Sequence, residues 1–128
     1  MKKDFLVMVV EDQKDQAYFV MNVLTASGYD VVCATGGYHA LELIERGIRP
    51  DLMMTDLKMP HLNGFELMEK LKLRNIHLET IVISASESHN DLESAYIRGV
   101  KQYLVKPISP GRLVSKVNEI FGRKFNGQ

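Results

Sequence analysis

The sequence has one cysteine, four prolines and no tryptophan in 128 residues. A lone cysteine, Cys33, rules out an internal disulfide framework, and its apolar neighbours predict a buried thiol in a reducing compartment. Neither sign of charge is in excess: 16 Lys and Arg balance 16 Asp and Glu. Broad nonspecific binding to nucleic acid or to an anionic membrane needs a surplus of Lys and Arg, so both are disfavoured for this segment. Long hydrophobic runs are missing too. Met1-Lys2-Lys3-Asp4 leads into only six apolar residues, Phe5 to Val10, too few for a signal peptide or a membrane span. The expected location is therefore cytoplasmic. No repeat, linker or low-complexity stretch divides the chain. Its length suits one domain, and 45% hydrophobic with 25% charged residues is a globular composition.

What is present is a regular alternation. Five short apolar runs recur: Phe5 to Val10, Val31 to Ala34, Leu52 to Thr55, Ile81 to Ser84 and Tyr103 to Val105. They are largely β-branched and nearly free of charge, as strands buried on both faces are. Between them the apolar period is helical. Ala17, Val20, Met21 and Leu24 fall at i, i+3, i+4 and i+7, with Gly28 as a stop. Thr35 is a candidate cap for a second helix carrying Ala40, Leu41 and Ile44 before Gly47. A third starts near Gly64 and uses Phe65, Met68 and Leu71. A fourth uses Leu92, Ala95 and Tyr96 up to Gly99, with Ser88 and Asp91 spaced as a capping box. A fifth begins at Ser109-Pro110 and uses Leu113, Val117, Ile120 and Phe121. The tail from Arg123 to Gln128 is polar and expected to fray. Strict strand–helix alternation implies a single doubly wound α/β domain, a five-stranded parallel sheet with five flanking helices. Ligands of such sheets bind beyond the carboxyl ends of the strands.

Those ends are where the chemistry lies. The first run ends in Glu11-Asp12, the third in Thr55-Asp56, the fourth in Ser84-Ala85 and the fifth in Lys106-Pro107. Each has a plain reading alone: acidic residues suit a helix start, Asp56 suits a loop, Ser84 a turn, and Lys106 solvent. Together they place three carboxylates, a hydroxyl and an ammonium on one sheet edge. Clustered carboxylates repel, so one protonates or a cation binds. All-oxygen ligands favour a hard divalent ion, Mg²⁺ first. A carboxylate beside such an ion can attack phosphorus, while a hydroxyl and an ammonium hold phosphoryl oxygens.

The ordered set Val9-Val10-Glu11-Asp12, Thr55-Asp56-Leu57-Lys58-Met59-Pro60, Asn63-Gly64-Phe65-Glu66-Leu67, Ser84-Ala85 and Tyr103-Leu104-Val105-Lys106-Pro107 resembles the response-regulator receiver domain of two-component signalling. The resemblance runs from about Phe5 to Phe121 and implies a flavodoxin-like sheet of strand order 2-1-3-4-5, with residues 1–122 as the receiver domain. It implies Asp56 as phosphoacceptor, with Asp12 and Asp56 as direct Mg²⁺ ligands, Glu11 acting through water, and the backbone carbonyl of Lys58 as a further ligand. Ser84 matches the switch hydroxyl, Tyr103 the switch aromatic, Lys106 the family's active-site lysine and Gly64 the glycine opening the third helix. A cis Lys106–Pro107 peptide is also implied.

The implied function is a phosphorylation switch rather than an enzyme with external turnover. Its donor would be a sensor histidine kinase or a histidine phosphotransfer protein. Its output would be a separate protein or a fused module, contacted by the face of the fourth helix, fifth strand and fifth helix. Ser84 stands where many receivers have Thr, and Gln102 where many have Asp; Lys58 and Ser86 fill the two variable positions near the phosphoryl group. Three other readings stay open. A flavin carrier would need a hydroxyl- and glycine-rich loop where Glu11-Asp12-Gln13-Lys14-Asp15 stands. A haloacid-dehalogenase-type phosphatase would need a second Asp where Lys58 stands. A degenerate receiver acting as a scaffold would lack a site group, and none is missing.

Overall fold

The computed structural model describes residues 5–122; the expected fraying of the tail at 123–128 lies outside them. Strands β1 (Leu6–Val10), β2 (Asp30–Ala34), β3 (Leu52–Thr55), β4 (Glu79–Ser84) and β5 (Gln102–Val105) alternate with helices α1 (Lys14–Ala26), α2 (Gly37–Glu45), α3 (Gly64–Leu73), α4 (His89–Ile97) and α5 (Pro110–Phe121). The sheet is parallel throughout, in the order β2-β1-β3-β4-β5.

Successive strand residues point to opposite faces, and this divides the core. Val7, Val9, Leu52, Met54, Ile81, Ile83 and Leu104 face one side, where Val20 and Leu24 of α1 and Leu113 and Val117 of α5 cover them. Met8, Val10 and Met53 face the other, against Ala40, Leu41 and Ile44 of α2 and Leu67 and Leu71 of α3. Val82 and Tyr103 form a smaller cluster with Leu57, Ala95 and Val100. Burial on both faces explains why β1 and β3 carry no charge, and why the one charge of β4, Glu79, stands at its exposed start.

Four local expectations need correction. Cys33 is only partly buried, because β2 is an edge strand. Thr35 does not cap α2; the N-cap is Gly36 and makes no side-chain cap bond. Instead the Thr35 N–H donates to His39 Nδ1 at 2.9 Å. In α4 only Ala95 is buried, while Leu92 and Tyr96 face outward. The fourth-helix capping box is half formed. Ser88 Oγ accepts the Asp91 N–H at 3.3 Å, but the Asp91 carboxylate takes a hydrogen bond from Ser86 Oγ at 2.6 Å. The complete box is at α3, where Asn63 Oδ1 accepts from the Glu66 N–H and Glu66 Oε1 accepts from the Asn63 N–H.

Candidate phosphoacceptor site

Register brings the site together. Val10 pairs with both Ala34 and Thr55, Thr55 with Val82, and Ser84 with Val105. Glu11, Asp56 and Lys106 each follow a paired terminal residue, so they leave the sheet at one edge. The Asp56 N–H still donates to Val10 O at 3.1 Å and the Lys106 N–H to Ser84 O at 2.8 Å. The sheet's hydrogen bonds therefore continue up to the functional side chains. The Lys106–Pro107 peptide is cis.

Carboxylate oxygens of Glu11, Asp12 and Asp56 lie within 4.8 Å of one another. Glu11 and Asp56 are buried, and Asp12 is more open to solvent. Lys106 Nζ donates to Asp56 Oδ2 at 2.8 Å and to Glu11 Oε1 at 2.9 Å, and its third partner is Gln16 Oε1. Asp56 Oδ1 accepts from the Leu57 N–H at 2.7 Å and more weakly from the Lys58 N–H at 3.3 Å. The Gln13 N–H reaches Glu11 Oε2 at 3.2 Å. Both buried carboxylates are thus fixed by backbone donors on one oxygen and by one ammonium on the other.

Burial pushes the Glu11 carboxyl above its ordinary value. Lys106 and the Gln13 N–H oppose that shift, and the nearby Asp56 charge adds to it. For Lys106 burial works to lower the value, but bonds and charges from Asp56 and Glu11 outweigh it, and the ammonium is held above its ordinary value. One ammonium pairs with two of the three carboxylates, which leaves the cluster anionic and fit for a hard cation. Mg²⁺ suits this donor set: oxygen only, with Asp12 open enough to leave positions for water.

Ser84 is 1% exposed, at the end of β4, and its Oγ accepts the Ser86 N–H at 3.1 Å. Tyr103 packs inward from the edge strand, with its hydroxyl donating to the Ser86 carbonyl at 2.9 Å. Lys58 is exposed and contributes its N–H to Asp56. Gly64 sits so close behind the loop that follows β3 that a Cβ there would meet Asp56 O at 2.4 Å. The structure thus brings Glu11, Asp12, Asp56 and Lys106 together, with the Lys58 N–H on Asp56, while Ser84 and Tyr103 are joined to each other through Ser86. Sequence reasoning missed Gln16 and the hub at Ser86, which joins Ser84, Tyr103 and Asp91. The i, i+3 spacing of Gln13 and Gln16 on a helix opening beside Glu11-Asp12 was the available signal for Gln16.

The family model of the response regulator receiver domain matches residues 7–118. The chain belongs to the response-regulator receiver family. It is a phosphoacceptor domain of two-component signalling, a signalling domain rather than a substrate-turnover enzyme. The flavin-carrier and phosphatase readings give way to it. The response regulator SaeR of Staphylococcus aureus (strain USA300) is 28% identical over 117 residues, 91% of this chain and 50% of SaeR. The chain thus spans half the length of the curated relatives it matches. Among solved structures, the Francisella response regulator 1452 receiver domain superposes with a TM-score of 0.85 at 31% identity, over 93% of this chain and 98% of that one. A CheY-like receiver domain protein from Methanospirillum hungatei JF-1 gives 0.85 at 26% identity, over 94% and 95%. No helix among the described residues is long and apolar enough to cross a membrane.

Proposed function

We propose that Asp56 accepts a phosphoryl group from a phosphohistidine on a sensor histidine kinase or a histidine phosphotransfer protein. The observation that carries this reading is the buried Asp56 carboxylate, held 2.8 Å from Lys106 Nζ with Glu11 and Asp12 beside it. A carboxylate oxygen of Asp56 attacks phosphorus in line. The P–N bond breaks and its electron pair returns to the imidazole. Backbone N–H groups of Leu57 and Lys58 hold the other carboxylate oxygen and fix the line of attack. Lys106 follows the charge from Asp56 onto a phosphoryl oxygen, and the Ser84 hydroxyl turns to donate to another. Asp12, Asp56 and the Lys58 carbonyl would hold Mg²⁺, with Glu11 acting through water. The ion, when bound, neutralises charge spreading over the phosphoryl oxygens.

Hydrolysis of the aspartyl phosphate resets the domain, which occupies residues 1–122 and works in the cytoplasm. Output passes to a partner protein or a fused module through the face of α4, β5 and α5. The coupling runs through Ser86. When Ser84 Oγ turns away from the Ser86 N–H, the same residue's carbonyl still holds Tyr103 and its Oγ still holds Asp91 of α4. Incubation with acetyl phosphate and Mg²⁺ tests the assignment. Intact mass should rise by one phosphoryl group in the parent and not in Asp56→Asn. Equal labelling of the two proteins would sink it.

A further inference from the structure

We propose that Gln16 is a positioning residue for Lys106, the neutral anchor that keeps its ammonium aimed at the phosphoryl position. This rests on Asp56 as the phosphoacceptor. A lysine ammonium has three N–H donors and no acceptor. Here all three are used: Asp56 Oδ2 at 2.8 Å, Glu11 Oε1 at 2.9 Å and the side-chain oxygen of Gln16. Two of these acceptors change during the reaction. The Asp56 carboxylate becomes an acyl phosphate, and the Glu11 carboxylate shares its charge with the cation site. Only the amide of Gln16 keeps the same character throughout.

The amide is itself oriented. Gln16 Nε2 donates to Gln13 Oε1 at 2.8 Å, which turns the Gln16 oxygen toward Lys106. Gln13 is the N-cap of α1 and Gln16 lies in its first turn, so the pair shares one helix face. The Gln13 N–H meanwhile donates to Glu11 Oε2. The start of α1 therefore grips both ends of the Glu11–Lys106 pair. A lysine stem has four rotatable bonds and needs such a grip to hold one direction. Without Gln16, one N–H of a largely buried ammonium is left to find water, and the ammonium pivots about its two carboxylates.

The test uses Gln16→Met, which keeps the length of the stem and removes the acceptor, and Gln16→Glu, which restores an acceptor oxygen. ¹H–¹⁵N spectra of the metal-free protein, taken cold and at slightly acidic pH, should show a slowly exchanging Lys106 ammonium signal. That signal should vanish in Gln16→Met and return in Gln16→Glu. Labelling of Gln16→Met by acetyl phosphate should slow by roughly ten-fold at saturating donor, as expected for a misplaced catalytic group. If Gln16→Met does not fold, Gln13→Ala, which frees the Gln16 amide to turn, should weaken the same signal. An ammonium signal unchanged in whichever of these variants folds overturns the proposal. The spectra need no phosphoryl transfer, so they stand apart from any failure of Asp56 to label.

Discussion

At the scale of the residue, Glu11 carries the sharpest consequence. It is 5% exposed, and its carboxyl titrates above its ordinary value chiefly because burial disfavours the charged form. A group whose folded value is raised stabilises the fold fully below its unfolded value, about 4.3 for glutamate, and loses that contribution as pH rises through the folded value. Ionised Glu11 is therefore a cost near neutrality, even with Lys106 beside it. Metal-free Glu11→Gln should melt at a higher temperature than the parent near pH 7, with the gap closing as pH falls toward 4. Parallel curves, or a less stable variant at neutral pH, would contradict this. Lys106 obeys the same sign at the other extreme, since its raised value keeps its contribution intact until the medium is strongly alkaline. The carboxylates, Ser84 and Lys106 were legible in the sequence because each ends an apolar run, and a parallel sheet aligns such ends. Gln16 was not, because an amide in a first helical turn looks like any solvated side chain until the topology brings Lys106 to it.

At the scale of the element, the strands are more legible in the sequence than the helix ends. The Leu52 to Thr55 run coincides with β3, whereas β2, β4 and β5 begin earlier than their apolar runs, at Asp30, Glu79 and Gln102. Those polar residues lie where the strands enter the sheet, and a period of apolar residues cannot register them. Caps are harder still, since they depend on a few side-chain bonds. Asn63 and Glu66 stand at capping-box spacing and form the box, while Ser88 and Asp91 stand at the same spacing and do not. The difference is Ser86, whose hydroxyl draws the Asp91 carboxylate away. The start of α3 invites a paired test. Asn63→Ala removes the acceptor for the Glu66 N–H and should cost about 1 kcal/mol of stability with little effect on labelling of Asp56. Gly64→Ala drives a methyl group into the Asp56 carbonyl, 2.4 Å from the ideal Cβ, and should slow labelling by displacing the Asp56 loop. Denaturant melts and acetyl phosphate labelling of both variants separate the two effects. Equal labelling rates for parent and Gly64→Ala would show that the loop yields without moving Asp56.

At the scale of the whole molecule, the site sets a limit on the stability of the fold that holds it. The apolar layers on both faces of the sheet fix the strand ends, and the strand ends force Glu11, Asp12 and Asp56 within 4.8 Å against a single ammonium. The unfolded chain has no such crowding, so unfolding relieves repulsion that a bound cation would also relieve. A ligand that binds only the folded state adds RT ln(1 + [L]/Kd), about 1.4 kcal/mol at ten times Kd. For a domain of this size that raises Tm by about 5 °C. Mg²⁺ titrated into the metal-free protein should therefore raise Tm along a logarithmic curve rather than to a plateau. Asp12→Asn removes one repelling charge and one of the three carboxylates proposed to bind the cation. It should melt above the parent in the absence of metal and respond weakly to Mg²⁺, so that the two melting curves cross as the ion is added. Differential scanning fluorimetry over that titration decides the matter. A parent protein indifferent to Mg²⁺, or an Asp12→Asn variant that melts lower in its absence, would mean that Lys106 and the backbone donors already balance the cluster.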